Sequence, residues 1–481
     1  MSLARHTAYN LAGFLAPGLV SIVTVPLYLR IIGMERYGIL AICWTLLGFM
    51  GFLSLGMGPA VAQRLAIERD SSAEARSATF WSAMLLSAGM ALAGALLLWL
   101  FGGLYFRTIN IADASIRFEM SSSLPWLALA FFVSLSSGVL NGALQGRQWF
   151  AALNLISIGT AVAIAVVPLL AAALVGPQLP VLLVTIVLVY LSSFIVQMTV
   201  CARAVPLAKR PAASVPVMRK LFTYGGWMTL VSLLAPLTIL SDRLVIGSRI
   251  GSAAVPVYVV PYNLVSRVIA LPSSLSSAAL PKFAGAPVEH EEALLTLGLR
   301  MLLATLMPLC VAGNVMMGPF LHFWVGDVIA AQGTIVGCIL VYGFWMHGIG
   351  HIPSTVLLGR GRPDILAGLY VLYAIFNLPL LFALLHLFGL AGAAIAWAVR
   401  ATLDLSLFGW AKISRSDSFR TAGCSAVVFT STIAASVLDW RDPLFWLVSC
   451  VMLLLSLSLA NSVAPVDLIG LLRSKGAWRR A

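Results

Sequence analysis

Charged side chains are scarce in this sequence, and their scarcity excludes an ordinary soluble protein. Only 10% of the 481 residues are charged, 60% are apolar, and the mean hydropathy is +0.99. A soluble domain carries about 25% charged residues, because water must solvate its surface. The apolar residues form successive runs of about 20, the length that a helix needs to cross a bilayer, without the strict alternation of a membrane β-barrel. The sequence therefore predicts an all-α polytopic membrane protein.

Enzymatic motifs and metal-ligand motifs are also missing. The chain has no GxxxxGK[ST] nucleotide-binding loop, no aspartate-rich metal motif and no serine nucleophile elbow. Its six cysteines lie in or at the ends of hydrophobic runs without ligand spacing, which argues against disulfides and a zinc site. The largest outside loop, about 102–120, is too short for a catalytic domain. We predict a transporter rather than an enzyme, with no cofactor and no metal.

The hydrophobic runs predict about fourteen membrane spans. They lie at about 8–30, 38–62, 78–101, 121–145, 152–175, 181–202, 221–247, 257–281, 297–322, 332–358, 365–387, 390–411, 421–438 and 444–464. With the N-terminus inside, only six of the 30 Lys and Arg fall in outside segments: Arg30, Arg36, Arg107, Arg117, Arg249 and Arg441. This asymmetry follows the positive-inside rule and predicts that both termini are cytoplasmic. The net charge of +13 is then a topology signal and does not indicate nucleic-acid binding.

The order of the spans predicts two similar halves. The longest hydrophilic break before the C-terminus, residues 203–220, follows six spans and precedes six more. Both halves then begin from the cytoplasm, as in transporters built from parallel repeats. We predict an N-terminal six-helix lobe at 1–210 and a C-terminal six-helix lobe at 211–412. Residues 413–481 then supply two extra transmembrane helices and a basic cytoplasmic tail.

Few ionisable residues fall inside the predicted spans, and each costs about 2.5–3.5 kcal/mol to insert, so each needs a role. Arg267, in span 8, has no acidic residue three or four positions away, which favours an anion ligand over a packing role. Asp242 and Arg243 point about 100° apart on a helix, so we expect one of them, Arg243, to face a cavity. Arg400 and Asp404, four residues apart, can form a structural ion pair or take a direct role.

Two histidines add a second candidate group. His347 and His351 are four residues apart in span 10, with Gly-Ile-Gly between them and no glutamate of a zinc protease. Packing, hydrogen bonding between helices and a proton relay are the alternatives. Tyr262 and Asn263 lie about one turn before Arg267 and are candidates to line the same cavity.

Several stretches resemble the oligosaccharide flippases of bacterial polysaccharide biosynthesis. The likeness runs in order along nearly the whole chain, and it is carried by Tyr9-Asn10 through Pro26, residues 32–38 (IGMERYG), 53–58 (LSLGMG), 142–147 (GALQGR) with Asn154, 259–262 (VVPY), 280–283 (LPKF), and 389–397 (GLAGAAIAW) with Arg400 and Asp404. The related lipid II flippases carry an arginine five residues before a proline in the eighth span, as Arg267 precedes Pro272. Their nearby glutamate is replaced here by Ala270.

The resemblance implies membership of the multidrug/oligosaccharidyl-lipid/polysaccharide exporter superfamily, whose members carry two six-helix lobes around a cavity. It further implies that an oligosaccharide on a polyprenyl diphosphate is turned from the cytoplasmic to the outer leaflet of the bacterial inner membrane by alternating access. The partners would be the lipid bilayer, this lipid-linked glycan and polysaccharide assembly proteins. Arg267, Arg243, Arg30, Tyr262 and Asn263 form the predicted substrate-binding set. Asp242, Arg400, Asp404, His347 and His351 are the candidates for coupling or for structural ion pairs.

Two other functions are considered. A drug or cation antiporter of the same superfamily needs a titratable carboxylate in the N-terminal lobe, and spans 1–6 contain none as assigned. A membrane-embedded polysaccharide polymerase or ligase needs large outside loops, which the chain lacks. Because arginines can neutralise a bound diphosphate, we also expect the membrane potential alone to drive the cycle, at about 2.3 kcal/mol per charge per 100 mV.

Overall fold

The computed structural model describes residues 3–49, 57–68, 71–109, 111, 113–205, 213–219, 241–276, 288–360 and 362–464. Every regular element in these residues is a helix, and ten of the helices are long and apolar enough to cross a membrane. The prediction of an all-α polytopic membrane protein is confirmed. By their internal contacts, Met1–Pro256 and Val257–Ala481 form two compact units, here called unit 1 and unit 2. The lobe boundaries near 210 and 412 stay a prediction, and the basic tail lies outside the described residues.

Besides helical residues 215–219 and a 3₁₀ turn (Ser252–Ala254), the described part of unit 1 contains six helices and a further helical segment. They are α1 (Leu3–Phe49), α2 (Met57–Ile67), α3 (Ala73–Phe106), α4 (Ala114–Gly146), α5 (Phe150–Leu174), α6 (Leu179–Ala204) and α7 (residues 241–249). A buried apolar cluster joins α2, α3, α4 and α6, with Val61, Phe80, Leu140 and Cys201 among its members. This cluster holds the four helices together.

Unit 2 begins two residues into the next helix, and its described part consists of helices joined by short turns. Its elements are α8 (Val255–Val265), a 3₁₀ turn (Ser266–Ile269) continued by helical residues 270–276, α9 (Val288–Val325), α10 (Asp327–Gly359), α11 (Pro363–Thr402), two short helical pieces (Leu403–Ser406 and Leu407–Ala411), α12 (Arg415–Val437) and α13 (Pro443–Val463). Helices α11 and α13 have proline in their first turn, where a missing N–H costs no hydrogen bond.

Two pairs of predicted spans are joined directly by a glycine instead of by a loop. Helix α1 contains predicted span 1 and the beginning of span 2, and its helical backbone breaks at Gly33, where φ is +79°. Helix α11 contains spans 11 and 12 and breaks at Gly389, where φ is +58°. Residues with a Cβ rarely adopt such values, so glycine permits each break.

Two predicted spans are not among the ten candidate membrane helices. Span 7, at 221–247, lies mostly outside the described residues. Span 13 corresponds to α12, which carries serine and threonine on its buried face and is therefore less hydrophobic than its neighbours. Asn314 of α9 donates to Ser431 and Thr432 at 2.9 Å each, and the indole N–H of Trp345 in α10 donates to Ser425 at 3.0 Å. The polar side chains of α12 thus bind it to α9 and α10.

Close approach between α2 and α4 depends on small residues. A Cβ on Gly142 would overlap the carbonyl oxygen of Gly58, and one on Gly146 would lie 2.5 Å from the carbonyl oxygen of Ala62. Glycine on facing helices lets the backbones pack directly, which stabilises helix association in lipid.

Candidate functional site

A polar cavity of about 380 Å³ lies in unit 2, between residues 273–276, α10, the beginning of α11 and the short helices that follow α11. This volume lies within the range of small-molecule sites and has room for several water molecules. Its wall combines one carboxylate, two imidazoles, a phenol and several hydroxyls. The lining residues are Ser273, Ser276, His347, Gly350, His351, Ser354, Thr355, Leu366, Leu369, Tyr370, Asp404 and Leu407.

Asp404 is the centre of the polar wall. One carboxylate oxygen accepts a hydrogen bond from the hydroxyl of Tyr373, and the other lies 2.9 Å from Nδ1 of His347. The rings of His347 and His351 are 5.2 Å apart in an edge-on arrangement. The structure therefore brings three predicted coupling residues, from α10 and from the segment after α11, into one cavity.

Arg400 and Tyr262 belong to an aromatic cluster beside this cavity. The Arg400 guanidinium lies over the Trp397 ring, 3.7 Å from its centroid, and His347 is 5.7 Å from the same ring. Tyr262 is buried, with ring centroids 5.3 Å from Phe344 and 6.2 Å from Trp397. A cation held on an aromatic face is stabilised by about 0.5–2 kcal/mol, so the Trp397 ring helps to hold the Arg400 guanidinium in place.

Arg267 lies in the 3₁₀ turn between α8 and residues 270–276, and its side chain is partly buried. Pro272 has no N–H for the Val268 carbonyl, which explains the departure from regular α-helix just before it. Six residues after Arg267, Ser273 lines the cavity. Asn263 is exposed, while its neighbour Tyr262 points into the aromatic cluster.

The predicted residues of unit 1 lie in a different setting. Arg243 and Asp242 of α7 are 7% and 4% exposed, and the Arg243 guanidinium donates a hydrogen bond to the Thr45 hydroxyl. Both members of the pair are thus buried, and that Arg243 faces a cavity stays a prediction. Arg30 is exposed, three residues before the helix break at Gly33.

Sequence reasoning missed several residues of the site. On α10, His347, His351, Ser354 and Thr355 recur at helical spacing, and this periodicity was the available signal. The contact between Tyr373 and Asp404 left no pattern in the sequence, because the two residues are 31 positions apart. Within the described part of the chain, no three His, Cys, Asp or Glu side chains are placed to hold one metal ion.

The sequence matches a known family and one curated relative along most of its length. A family model described as "Polysaccharide biosynthesis protein" matches residues 3–286. A Shigella flexneri protein named "Putative O-antigen transporter" is 23% identical over 416 residues, which cover 85% of this chain and 97% of that protein.

Solved structures share the fold at low sequence identity. The lipid II flippase MurJ, in an inward closed conformation, aligns over 96% of this chain and 100% of its own, with a TM-score of 0.72 and 14% identity. An inward-facing multidrug resistance MATE transporter of the MOP superfamily aligns over 86% and 96%, with a TM-score of 0.68 and 15% identity. These likenesses show the fold. Taken with the family model and the Shigella relative, they bear out the expectation of a transporter rather than an enzyme.

Proposed function

Since the matching family model covers more than half of the chain, this protein belongs to the polysaccharide biosynthesis protein family, and we propose that it is a lipid-linked oligosaccharide flippase. It turns a polyprenyl-diphosphate-linked oligosaccharide from the cytoplasmic to the outer leaflet of the bacterial inner membrane by alternating access. The family resemblance predicted from the sequence is confirmed, whereas the cargo, the direction and the mechanism belong to the proposal.

The observation that carries this proposal is the alignment with the Shigella relative. It extends over 97% of a protein named as an O-antigen transporter, so the likeness is not confined to one motif. The MurJ-like fold is compatible with the same type of cargo, because MurJ is described as a flippase of lipid II. To carry a lipid-linked glycan, such a protein must bind two kinds of polar group, a diphosphate anion and a set of sugar hydroxyls.

Arg267 is assigned to the diphosphate. Arg267 is not among the residues that line the cavity, but it is partly buried in a 3₁₀ turn within a candidate membrane helix, where a charge needs a role. Arginine stays protonated and can hold phosphate oxygens with two parallel hydrogen bonds. Exposed Asn263 and Arg30 are further proposed contacts for the polar head group.

Arg243 and Tyr262 are also proposed for the substrate site, but each is buried in the present conformation. Arg243 donates to Thr45, and Tyr262 packs among aromatic rings. Either side chain reaches a ligand only after its helix moves, which alternating access provides. Their contribution is thus assigned to a later state of the transport cycle.

A drug or cation antiporter remains the second candidate, because a MATE transporter shares the fold with a TM-score of 0.68. Such a protein needs a titratable carboxylate in the N-terminal lobe, whereas the carboxylate that lines the cavity, Asp404, lies in unit 2. The two functions differ in cargo: one moves an anionic glycolipid and the other moves organic cations.

The decisive experiment uses proteoliposomes loaded with a fluorescent lipid-linked glycan and, separately, with a cationic dye. A flippase makes the labelled glycan accessible in the opposite leaflet and leaves the dye where it was. Transport of the dye alone would establish the antiporter. New glycan polymer in the vesicles would instead support a polymerase or ligase.

The orientation is proposed from the charge distribution and needs its own test. In a variant with the exposed Cys450 replaced by serine, Asn110→Cys and Arg210→Cys are introduced one at a time. An impermeant thiol reagent applied to intact cells should label position 110 and not position 210. Labelling at 210 would invert the proposed orientation, in which both termini are cytoplasmic.

A further inference from the structure

We propose that a basic patch at one end of unit 2 binds the phosphate head group of an anionic phospholipid. The patch is formed by the turn between the short helix Leu407–Ala411 and α12, by the first turns of α12, and by two arginines that reach them from α9 and α10. In the predicted topology this end of the unit faces the cytoplasm, and the site requires no assumption about the cargo. Its basic members are Arg300, Arg360, Lys412, Arg415 and Arg420.

Positive charge exceeds negative charge in the basic patch. Its acidic member is Asp417, whose Oδ1 accepts hydrogen bonds from Arg300 at 3.0 Å and from Arg420 at 3.2 Å. Five basic side chains and one carboxylate leave the patch with a formal charge of +4. A surface of this kind attracts the anionic lipids of a cytoplasmic leaflet, and basic pockets between transmembrane helices hold their head groups.

The opposite end of α12 carries the opposite charge. The turn between α12 and α13 contains Asp439, Arg441 and Asp442, and the Arg441 guanidinium lies 3.7 Å from a carboxylate oxygen of Asp327. One arginine and three carboxylates leave a formal charge of −2 there, with His322 neutral. The two ends of the same helix are therefore distinguished by charge, and the basic end fits an anionic head group.

Two exposed aromatic side chains accompany the basic patch. Trp410 is 57% exposed and Phe419 is 81% exposed. Phe419 follows Arg415 by four residues, so the two side chains lie on one face of α12. Tryptophan is enriched where hydrocarbon meets the lipid head groups, because its ring is amphipathic. The combination of basic and aromatic side chains at one level favours a lipid over an acidic soluble protein.

The backbone of the turn in this patch is fixed by hydrogen bonds on both sides. Arg360 of α10 donates to the backbone carbonyl of Trp410 at 3.1 Å. The Ser414 hydroxyl accepts the backbone N–H of Asp417 at 3.2 Å and donates to its carboxylate at 2.8 Å. Because the turn is already ordered, binding a head group costs little backbone entropy.

Lys412 has a backbone conformation that is usually reserved for glycine. Its φ is +59° and its ψ is 44°, at the end of the short helix that precedes α12. A side chain strains this left-handed conformation, and glycine is the residue commonly found at such a helix end. A lysine here therefore lowers stability, and a contact between its ammonium group and a phosphate would offset that loss.

Native mass spectrometry of the purified protein in detergent tests the site by measuring the affinity for one lipid at a time. Anionic phosphatidylglycerol should bind more tightly than zwitterionic phosphatidylcholine. Arg415→Gln should weaken phosphatidylglycerol binding roughly five-fold, the contribution of one basic side chain near a head group, and Arg415→Lys should keep most of the affinity. Arg441→Gln, which removes an exposed arginine from the acidic end of α12, is the matched control and should bind as wild type does.

Three results of that titration would overturn the proposal. Equal affinities for the two lipids would leave the patch to an acidic protein partner. Equal weakening in Arg415→Gln and Arg441→Gln would show a response to the total charge and not to the patch. Polyprenyl diphosphate is titrated in parallel, and if it alone binds in a manner that depends on Arg415, the patch is an entrance for cargo.

Lys412→Gly separates binding from folding. Glycine relieves the strain in the folded state but gives the unfolded chain more freedom, so the melting temperature should not fall. The affinity for phosphatidylglycerol should fall roughly five-fold, because one ammonium group is lost. An affinity that stays unchanged, or that falls only together with the melting temperature, contradicts a contact between Lys412 and the head group.

Trp410 fluorescence tests where the lipid binds. In vesicles of phosphatidylcholine with a minor share of brominated phosphatidylglycerol, bromine next to the indole should quench Trp410 more than the same share of brominated phosphatidylcholine does. Because the chain has 13 tryptophans, the signal is the difference between each protein and the same protein carrying Trp410→Phe. The preference for phosphatidylglycerol should be lost in Arg415→Gln and kept in Arg441→Gln. Equal quenching of Trp410 by the two brominated lipids would exclude the patch as the binding site.

Discussion

Units 1 and 2 use their buried polar side chains in different ways. In unit 1, Arg36 binds both oxygens of Glu119, at 2.9 and 2.7 Å, and Glu119 also accepts the backbone N–H of Leu179 at 3.1 Å. Three helices are joined by that one carboxylate. In unit 2, Asp404 is held by two side chains that can themselves gain or lose protons, and it lines a cavity.

This comparison distinguishes side chains that stabilise the fold from side chains that take part in transport. A charge paired with a permanent cation and enclosed by helices has one stable state, which suits a fixed scaffold. A carboxylate that borders a cavity and contacts a histidine has a partner that can exchange protons, which suits a moving part. We therefore expect substitutions in the described polar contacts of unit 1 to affect stability, and those around the cavity of unit 2 to affect transport.

The largest expected effect is on transport, through Arg267 in unit 2. Arg267→Ala should lower flipping by roughly 100-fold, because a hydrogen bond to a charged group contributes about 1.5–3 kcal/mol. Arg267→Lys should restore part of the rate, since it keeps the charge but loses the planar fork. Flipping is measured with the fluorescent glycan, and folding with the melting temperature in detergent.

Arg107→Ala provides the control for that experiment, because Arg107 is an exposed arginine of unit 1. It should flip at the wild-type rate. If Arg267→Ala is also fully active, Arg267 is not part of the substrate site and the contrast between the units loses its main support.

A large effect on stability is expected in unit 1, at the contact between α2 and α4. In Gly142→Ala the new methyl group overlaps the Gly58 carbonyl oxygen, and overpacking of this kind costs about 1–3 kcal/mol. Gly138→Ala is the matched control on the same helix, since its Cβ would meet nothing within 4 Å. The melting temperature should fall only in the first variant. Equal melting temperatures would show that the two helices can separate at no cost.

The helices and their approximate spans could be predicted from the sequence, because the bilayer imposes a length and a composition on each of them. The pairs Arg400–Asp404 and His347–His351 could also be assigned to helix faces, since each is spaced by four residues. That these two faces meet, and that Tyr373 joins them, could not be predicted. The partners of Arg36 were equally hidden, because Glu119 is 83 residues away. Tertiary contacts between distant helices leave no periodic pattern in one sequence.

The Arg36–Glu119 pair of unit 1 gives a smaller effect. Glu119→Gln keeps the shape of the side chain but removes its charge, and we expect a loss of roughly 2 kcal/mol of stability. Because both residues are partly buried, a double-mutant cycle with Arg36→Gln should give a coupling energy above about 0.5 kcal/mol. Flipping by the protein that does fold should stay near the wild-type rate. A coupling energy near zero would mean that the pair does not hold unit 1 together.

The smallest effect is expected at Asp417, a carboxylate of unit 2 that is paired with arginines as Glu119 is in unit 1. Burial alone would raise the pKa of Asp417, but hydrogen bonds from Ser414, Arg300 and Thr296 and the Arg300 charge hold that pKa below its usual range. Since the ionised form is favoured in the folded state, Asp417 stabilises unit 2 above the pKa of an unfolded aspartate, about 3.9, and this contribution is lost as the pH falls further. Asp417→Asn should therefore lower the free energy of unfolding at pH 7 by about 1 kcal/mol, which is seen as a lower melting temperature. The difference in melting temperature between this variant and wild type should shrink below about pH 4. Asp364→Asn, which breaks an exposed ion pair with Arg362, should show almost no difference at either pH. A deficit that is the same at pH 7 and pH 3 would assign Asp417 a role in packing instead of in charge.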